Sequence, residues 1–527
     1  MDLPMSRRAF ARLGVLALAP GVAFSAGREA VAQTTSGPVR GRVEDGINVF
    51  KGIPYGASTT GENRFKPARD PQPWQETRDA LDYGPAAPQP RSALFNDSST
   101  SEDCLVANVW TPGLDDGGKR PVMVWLHGGG FSTLSGSSPT YDGAALCRRG
   151  DVVVVTLNHR LNVFGFLHLG DLAGREFATA GNEGMLDLVH ALKWVRRNIA
   201  RFGGDPGNVT IFGESGGGRK TSTLMAMPGA RGLFHRAIIQ SGPGLHLQPR
   251  DKATAVAEAL LDELSIVPRD AKKLQSLPVE ALLDAHEKVA GGFDDLARMK
   301  GRFEQRGFVP TVGVPELPAY AFDPVASEVS KDVPLMIGSN RHEMALFGRN
   351  DPKIYEQTLT EAELAERVSV MVSTAADRVL ELYARKFPKA SPAERWVLIS
   401  SDRTYRFDSM TLAERKAELG PATYMYYFTW ESRADPALLS HHALEIPFAF
   451  DTIDKSAWAG TSAEAKALAT KMSAAWIAFA RSGDPNTPAL PEWPRYDRSR
   501  RATMILDDEC RAVNDPDPQI RRLWATV

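Results

Sequence analysis

Four short stretches of this chain hold residue types that do chemistry together. Gly213-Glu214-Ser215-Gly216-Gly217 follows the apolar run Val209-Thr210-Ile211-Phe212 and opens a segment of small residues. A serine between glycines on a tight strand-to-helix turn holds its hydroxyl clear of the backbone, ready to attack an acyl carbonyl. With 45 glycines in the chain, the pattern alone also fits a plain glycine-rich turn, and its place between strand and helix is what gives it meaning. His127-Gly128-Gly129-Gly130-Phe131 follows a second apolar run, residues 122–126. Its glycines leave N–H groups uncovered. Two of them, with the N–H after the serine, would hold an oxyanion. The same loop also suits a phosphate, though no P-loop lysine follows it. A serine nucleophile needs a histidine base and a carboxylate to orient it. Glu343 lies just past the run 333–337, and His442 lies in the loop after the run 424–428. His441 is adjacent, and Asp402, Asp408 and Asp435 are alternative acids.

The elements that must position these residues are legible as two periodicities. Residues 122–126, 152–157, 209–212, 237–239, 333–337 and 424–428 are apolar without alternation, as strands covered on both faces are. Between them, Met185, Leu188, Val189, Leu192, Val195 and Ile199 recur at helical spacing until Gly203-Gly204 stops them. Residues 251–300 and 353–420 read as mostly helical insertions. Residues 463–481 form an amphipathic helix ended by Gly483 and Pro485. Residues 34–110 are short strands and loops, 111–119 a surface turn. Strands alternating with helices predict an α/β fold with a central, mostly parallel sheet. Ligand chemistry in such sheets sits at the carboxyl ends of the strands, where all four stretches fall. The order serine, acid, histidine is that of α/β hydrolases.

Composition narrows the partners. Among 527 residues, 62 Lys and Arg against 64 Asp and Glu leave a net charge of −2, which argues against a nucleic-acid binder. Three cysteines, Cys104, Cys147 and Cys510, are too few for a disulfide framework. No run of 18 apolar residues exists to span a membrane. The first residues read as an address. Arg7-Arg8, an apolar stretch at 13–19 and the small-residue site Ala30-Val31-Ala32 follow the order of a twin-arginine signal peptide. The expectation is a leader over 1–32, a single domain over 33–527 beginning near Gln33, and a periplasmic or secreted location. A basic amphipathic first helix is the alternative, which Pro20 disfavours.

With these residues in place, the sequence resembles the type-B carboxylesterases, the family of cholinesterases and bacterial p-nitrobenzyl esterases. Ser101-Glu102-Asp103-Cys104-Leu105 with Asn108-Val109-Trp110 is similar to one of its signatures. Asn158-His159-Arg160-Leu161, Gln240-Ser241-Gly242 and Gly483-Asp484-Pro485-Asn486 match further segments. The resemblance covers nearly all of the chain past residue 32. It implies Ser215 as nucleophile, Glu343 as acid, and His442 rather than His441 as base. It implies Gly129, Gly130 and Gly216 as oxyanion donors, with Glu214, Ser241 and Glu445 supporting the histidine. Glu214 also reads as a surface carboxylate. Phe131 is a candidate contact for the acyl group, or simply core. The family usually has alanine where Gly216 stands, and the glycine implies a freer turn. Arg219-Lys220 replace small or neutral residues, either reaching solvent or a carboxylate, or pressing on the site. Leu188 replaces a usual glutamine. No cysteine precedes Cys104, so the family's first disulfide cannot form. The expected function is hydrolysis of small-molecule carboxylic esters without metal or cofactor, through an acyl-enzyme. Amide or carbamate hydrolysis by the same triad and a non-catalytic binding protein are the alternatives.

Overall fold

The computed structural model describes residues 29–90, 99–290 and 307–527. Twelve strands make its main sheet. They are β1 (Glu29–Gln33), β2 (Pro38–Glu44), β3 (Ile47–Pro54), β4 (Val106–Thr111), β5 (Arg120–Leu126), β6 (Val153–Leu157), β7 (Gly204–Glu214), β8 (Arg236–Gln240), β9 (Leu335–Asn340), β10 (Thr423–Phe428), β11 (Ala502–Leu506) and β12 (Arg511–Asn514). They lie in the order β1-β2-β3-β4-β6-β5-β7-β8-β9-β10-β11-β12, with the two-residue strand Arg78–Asp79 added on β2. Neighbours from β6 through β11 are parallel. Both flanks are antiparallel.

The helices used below are α1 (Glu183–Asn198), α2 (Gly216–Leu224), α3 (Pro392–Ser401), α4 (Phe407–Ala417) and α5 (Ala463–Ser482). Unbroken apolar strands arise because successive residues enter different cores. Val122, Val124 and Leu126 of β5 join Met185, Leu188 and Leu192 of α1. Met123 and Trp125 join Met472 and Trp476 of α5 on the other face. Each side chain so buried contributes about 1.5–3 kcal/mol against unfolding. Leu188, where the family's glutamine stood in the comparison by sequence, is fully buried.

The two insertions are helical as expected. The first carries Arg250–Glu263 and Val279–Ala290, and residues 291–300 lie outside those described. The second carries α3 and α4. Its Leu364, Val379 and Trp396 form an apolar cluster with Trp524 near the C-terminal end, while Met410 and Leu412 of α4 join the main core. A π-helical turn, Asp402–Arg406, joins α3 to α4. Two boundaries differ from the sequence reading. The run at 333–337 pairs as Leu335–Asn340, which carries its end into polar residues, and β11 was hidden in five residues beside a charged stretch. The missing disulfide has a counterpart. Cys104 is free and buried, while Glu102 takes a two-pronged contact from Arg64 at 2.6 and 2.7 Å, both side chains buried. Arg64 also donates to the carbonyls of Leu274 and Leu277, tying this segment to the first insertion.

β1 bears on the chain's start. It pairs with β2 from Glu29↔Arg42 to Gln33↔Pro38, with Ala30 and Ala32 buried. The expected cleavage site therefore lies inside a strand, and residues 1–28 of the expected leader are outside the described residues. No helix among the described residues is long and apolar enough to cross a membrane.

Candidate active site

Parallel strands ending together bring the four stretches to one place. Ser215 sits where β7 turns into α2, at φ 59 and ψ −120. Such a conformation costs a non-glycine residue on the order of 1–3 kcal/mol and persists because the surroundings fix it. The Ser215 N–H donates to the carbonyl of Gln240 at 2.9 Å, and the Ser215 carbonyl accepts from Arg219 at 3.0 Å. The turn leaves no room for side chains. A Cβ on Gly217 would stand 1.9 Å from the Leu126 carbonyl oxygen, and one on Gly216 would stand 2.1 Å from that of Gly130. The expected freer turn at Gly216 is thus not what the fold shows. The space an alanine methyl would occupy is filled by backbone of the glycine loop.

Gly129 and Gly130 lie at φ 76 and 62. The loop is pressed against the serine: a Cβ on Gly128 would be 3.5 Å from Ser215 Cβ and 3.2 Å from Glu214 Oε2. No described hydrogen bond uses the N–H of Gly129, Gly130 or Gly216. Amides without a described acceptor are what an oxyanion site requires.

His442 Nδ1 is 2.6 Å from Glu343 Oε2, and the Asn340 N–H holds the other Glu343 oxygen at 2.7 Å. The carboxylate places the ring proton on Nδ1, an assignment made from the hydrogen bonds, and leaves Nε2 as the basic nitrogen. Nε2 has no hydrogen-bond partner among the described atoms. Glu214 Oε1 is 3.1 Å away but poorly aligned. His441 points elsewhere, its Nδ1 2.6 Å from the His442 carbonyl and its ring edge-on to Trp458. Of the alternative acids, Asp402 is bonded to the Tyr383 hydroxyl and to Arg406, and Asp435 faces the Tyr355 hydroxyl. Glu343 alone of the candidates is on the imidazole in the described hydrogen bonds.

Behind the histidine lies a buried polar layer. Glu445 accepts from the Asn340 amide at 2.7 Å and the Gln240 amide at 3.3 Å, and Gln240 in turn accepts from the Trp476 indole at 2.9 Å. Burial, with Glu214 and Glu343 nearby, pushes the Glu445 carboxyl up to about 8. Burial first, and Glu343 second, also raise Glu214 well above the usual carboxylate range, so Glu214 is no surface carboxylate. Ser241 is buried at φ 46 with its Oγ unpartnered, and its N–H donates to Gly338 at 2.9 Å.

Phe131 is 1% exposed and stands edge-on to Phe166 in the main core. Two aromatic rings that sequence reasoning missed flank the imidazole instead. Phe347 is centred 5.0 Å from His442 and Tyr405 4.9 Å. Phe347 follows Glu343 by one helical turn, a signal available in the sequence. Tyr405 depends on the π-helical turn, for which no signal exists. Arg219 and Lys220 are both buried, so neither reaches solvent. Burial lowers the Arg219 guanidinium, while Tyr405, Asp408, Glu214 and Glu343 act to raise it. Arg219 is therefore a neighbour of the site.

This is the α/β-hydrolase architecture, with its polar groups gathered where that fold keeps its chemistry. The chain belongs to the carboxylesterase family, whose pattern it matches over residues 28–521, and it is a carboxylic ester hydrolase. It is 38% identical over 501 residues to the para-nitrobenzyl esterase of Bacillus subtilis, covering 93% of this chain and 98% of that protein. It is 33% identical over 499 residues to the phenmedipham hydrolase of Pseudarthrobacter oxydans, covering 91% and 95%. Among solved structures it is similar to a Geobacillus stearothermophilus carboxylesterase, with a TM-score of 0.82 at 39% identity over 94% of this chain and 99% of that one.

Proposed function

We propose that ester hydrolysis here runs through an acyl-enzyme on Ser215. His442 takes the serine proton as Ser215 attacks the ester carbonyl. The N–H groups of Gly129, Gly130 and Gly216 hold the resulting oxyanion. His442 then protonates the leaving alcohol, and the same ring activates water to release the acid. Glu343 fixes the imidazole and stabilises its charged form. Glu445 anchors the Asn340 and Gln240 amides behind the histidine, and Glu214 accepts from the Ala443 N–H next to it. The observation that carries this reading is the 2.6 Å contact between Glu343 and His442 Nδ1, with Ser215 strained on a turn pressed against the glycine loop.

The test is turnover of p-nitrophenyl esters from acetate to laurate by the parent and Ser215→Ala. The parent is expected to turn over and the variant to fall by several orders of magnitude. Equal rates in the two proteins would remove Ser215 as nucleophile. Phe347 and Tyr405 flank the imidazole with aromatic rings, which favours an uncharged acyl or alcohol group. Comparison of matched esters, amides and carbamates on the same preparation ranks the substrate classes. We also propose export, carried by Arg7-Arg8 and the apolar stretch after them, to the periplasm or the medium.

A further inference from the structure

Lys220 has no part in the mechanism above, yet it is buried directly behind it. It lies on α2, one turn after Gly216, and has no exposed surface. An amine in such a place must find acceptors. Its Nζ donates to the His127 carbonyl at 2.9 Å and reaches the Gly128 carbonyl at 3.5 Å. Lys220 is the donor described for the His127 oxygen, and the Gly128 oxygen is shared with His127 Nδ1 at 3.0 Å. No carboxylate is described on Nζ. Its other neighbours are the Phe131 ring, 6.0 Å away, and the His127 ring, which is stacked on His159 at 5.0 Å.

The geometry has a consequence for the amides. A trans peptide is planar, with C=O and N–H pointing opposite ways. Fixing the direction of the Gly128 carbonyl therefore fixes that of the Gly129 N–H. Glycines permit many directions at 128–130, so something outside the loop must choose one. Positions 216, 217 and 220 form one face of α2. On that face the backbone of Gly216 and Gly217 meets the carbonyls of Gly130 and Leu126, and Lys220 meets those between.

We propose that Lys220 is a positioning residue for the oxyanion-binding loop, holding the His127 and Gly128 carbonyls on α2 and thereby aiming the Gly129 N–H at the substrate oxygen. The proposal rests on the reading of Ser215 as nucleophile and of the glycine loop as its oxyanion site. It makes Gly216 and Lys220 two parts of one device, the first letting the loop approach and the second orienting it.

The test compares the parent, Lys220→Met and Ser215→Ala in p-nitrophenyl butyrate hydrolysis. It adds inhibition by an alkyl trifluoromethyl ketone, which forms an oxyanion on the serine. Methionine keeps most of the volume and loses the donor. For K220M we expect kcat to fall on the order of 10–100-fold, below the cost of deleting an oxyanion donor outright, with KM within about threefold. Affinity for the ketone should fall by the same factor as kcat/KM. A folded K220M with both quantities within twofold of the parent overturns the proposal. So does a lost kcat with unchanged ketone affinity. If K220M does not fold, Lys220→Ser, too short to reach either carbonyl, is read by the same criteria. If neither folds, Lys220 serves stability and the proposal falls. Ser215→Ala separates the two levels. Should it keep parental activity, the nucleophile assignment fails. Should it be inert while K220M matches the parent, only the role of Lys220 fails.

Discussion

Glu445 shows how one buried residue ties the site to the stability of the fold. Its carboxyl holds its proton up to about 8, first because full burial penalises the charged form and then because ionisation would put a charge beside Glu214 and Glu343. In the unfolded chain the same carboxyl ionises in its ordinary acidic range. Between those limits the unfolded state binds fewer protons than the folded one, so stability falls as pH rises. The loss begins above the ordinary glutamate range and is complete above about pH 8. Glu445→Gln cannot ionise and removes this component. At low pH it is expected to be less stable than the parent, because its new amide faces the donors of Asn340 and Gln240. The gap should narrow as pH rises. Urea unfolding of both proteins at pH 5 and pH 8.5 checks this, and parallel losses in the two would show that Glu445 is not the titrating group. The same residue marks what sequence can show about a site. Its spacing from His442 is visible by resemblance, while the hydrogen bonds it takes from Asn340 and Gln240, polar ends of apolar strands, are not.

Two elements, the β7–α2 turn and the glycine loop after β5, make the site by close approach of backbone. That approach is why both are written in glycine, and it is why their positions are legible in the sequence. Gly216→Ala tests how tight the approach is. Its methyl would stand 2.1 Å from the Gly130 oxygen and 2.5 Å from the Gly130 nitrogen, so the loop has to move. Overpacking of this kind typically costs about 1–3 kcal/mol, and the atoms displaced here include the Gly130 N–H, an oxyanion donor in the mechanism we propose. We expect lower stability in denaturant and a kcat reduced by roughly tenfold or more, since small misplacements of catalytic groups are costly. An alanine variant with parental stability and kcat would show that the loop yields freely. The π-helical turn is the opposite case. Residues 353–420 read as mostly helical, and nothing in their pattern marks the added residue at Asp402–Arg406 that carries Tyr405 onto His442. Periodicity identifies faces, but a single-residue insertion in a helix leaves it almost unchanged.

At the scale of the whole molecule, the central sheet was readable because its strands are buried on both faces, so each appears as an unbroken apolar run. The flanks were harder. β11 is short, and β1 was read as the end of a leader because Ala30-Val31-Ala32 has small residues at the spacing a signal peptidase accepts. The fold uses the same alternation differently. Ala30 and Ala32 face inward on the edge strand while Val31 is exposed, which is the period-two pattern of a half-buried strand. Cleavage after Ala32 would delete four of the five residues of β1 (Glu29–Gln33) and strip the outer edge of β2. In the twin-arginine export we propose, the chain crosses already folded, and the buried free thiols of Cys104 and Cys147 suit folding in a reducing compartment. A folded β1 resists a peptidase that needs an extended, accessible segment. The expected outcome is therefore that the exported protein begins at or before Glu29. Intact mass and N-terminal sequencing of protein from the periplasm or medium decide it, with Arg7→Lys and Arg8→Lys together expected to hold the protein in the cytoplasm. A mature chain starting at Gln33 would show that β1 is dispensable and that cleavage outruns its pairing with β2. Export undiminished by the paired lysines would remove the twin-arginine route.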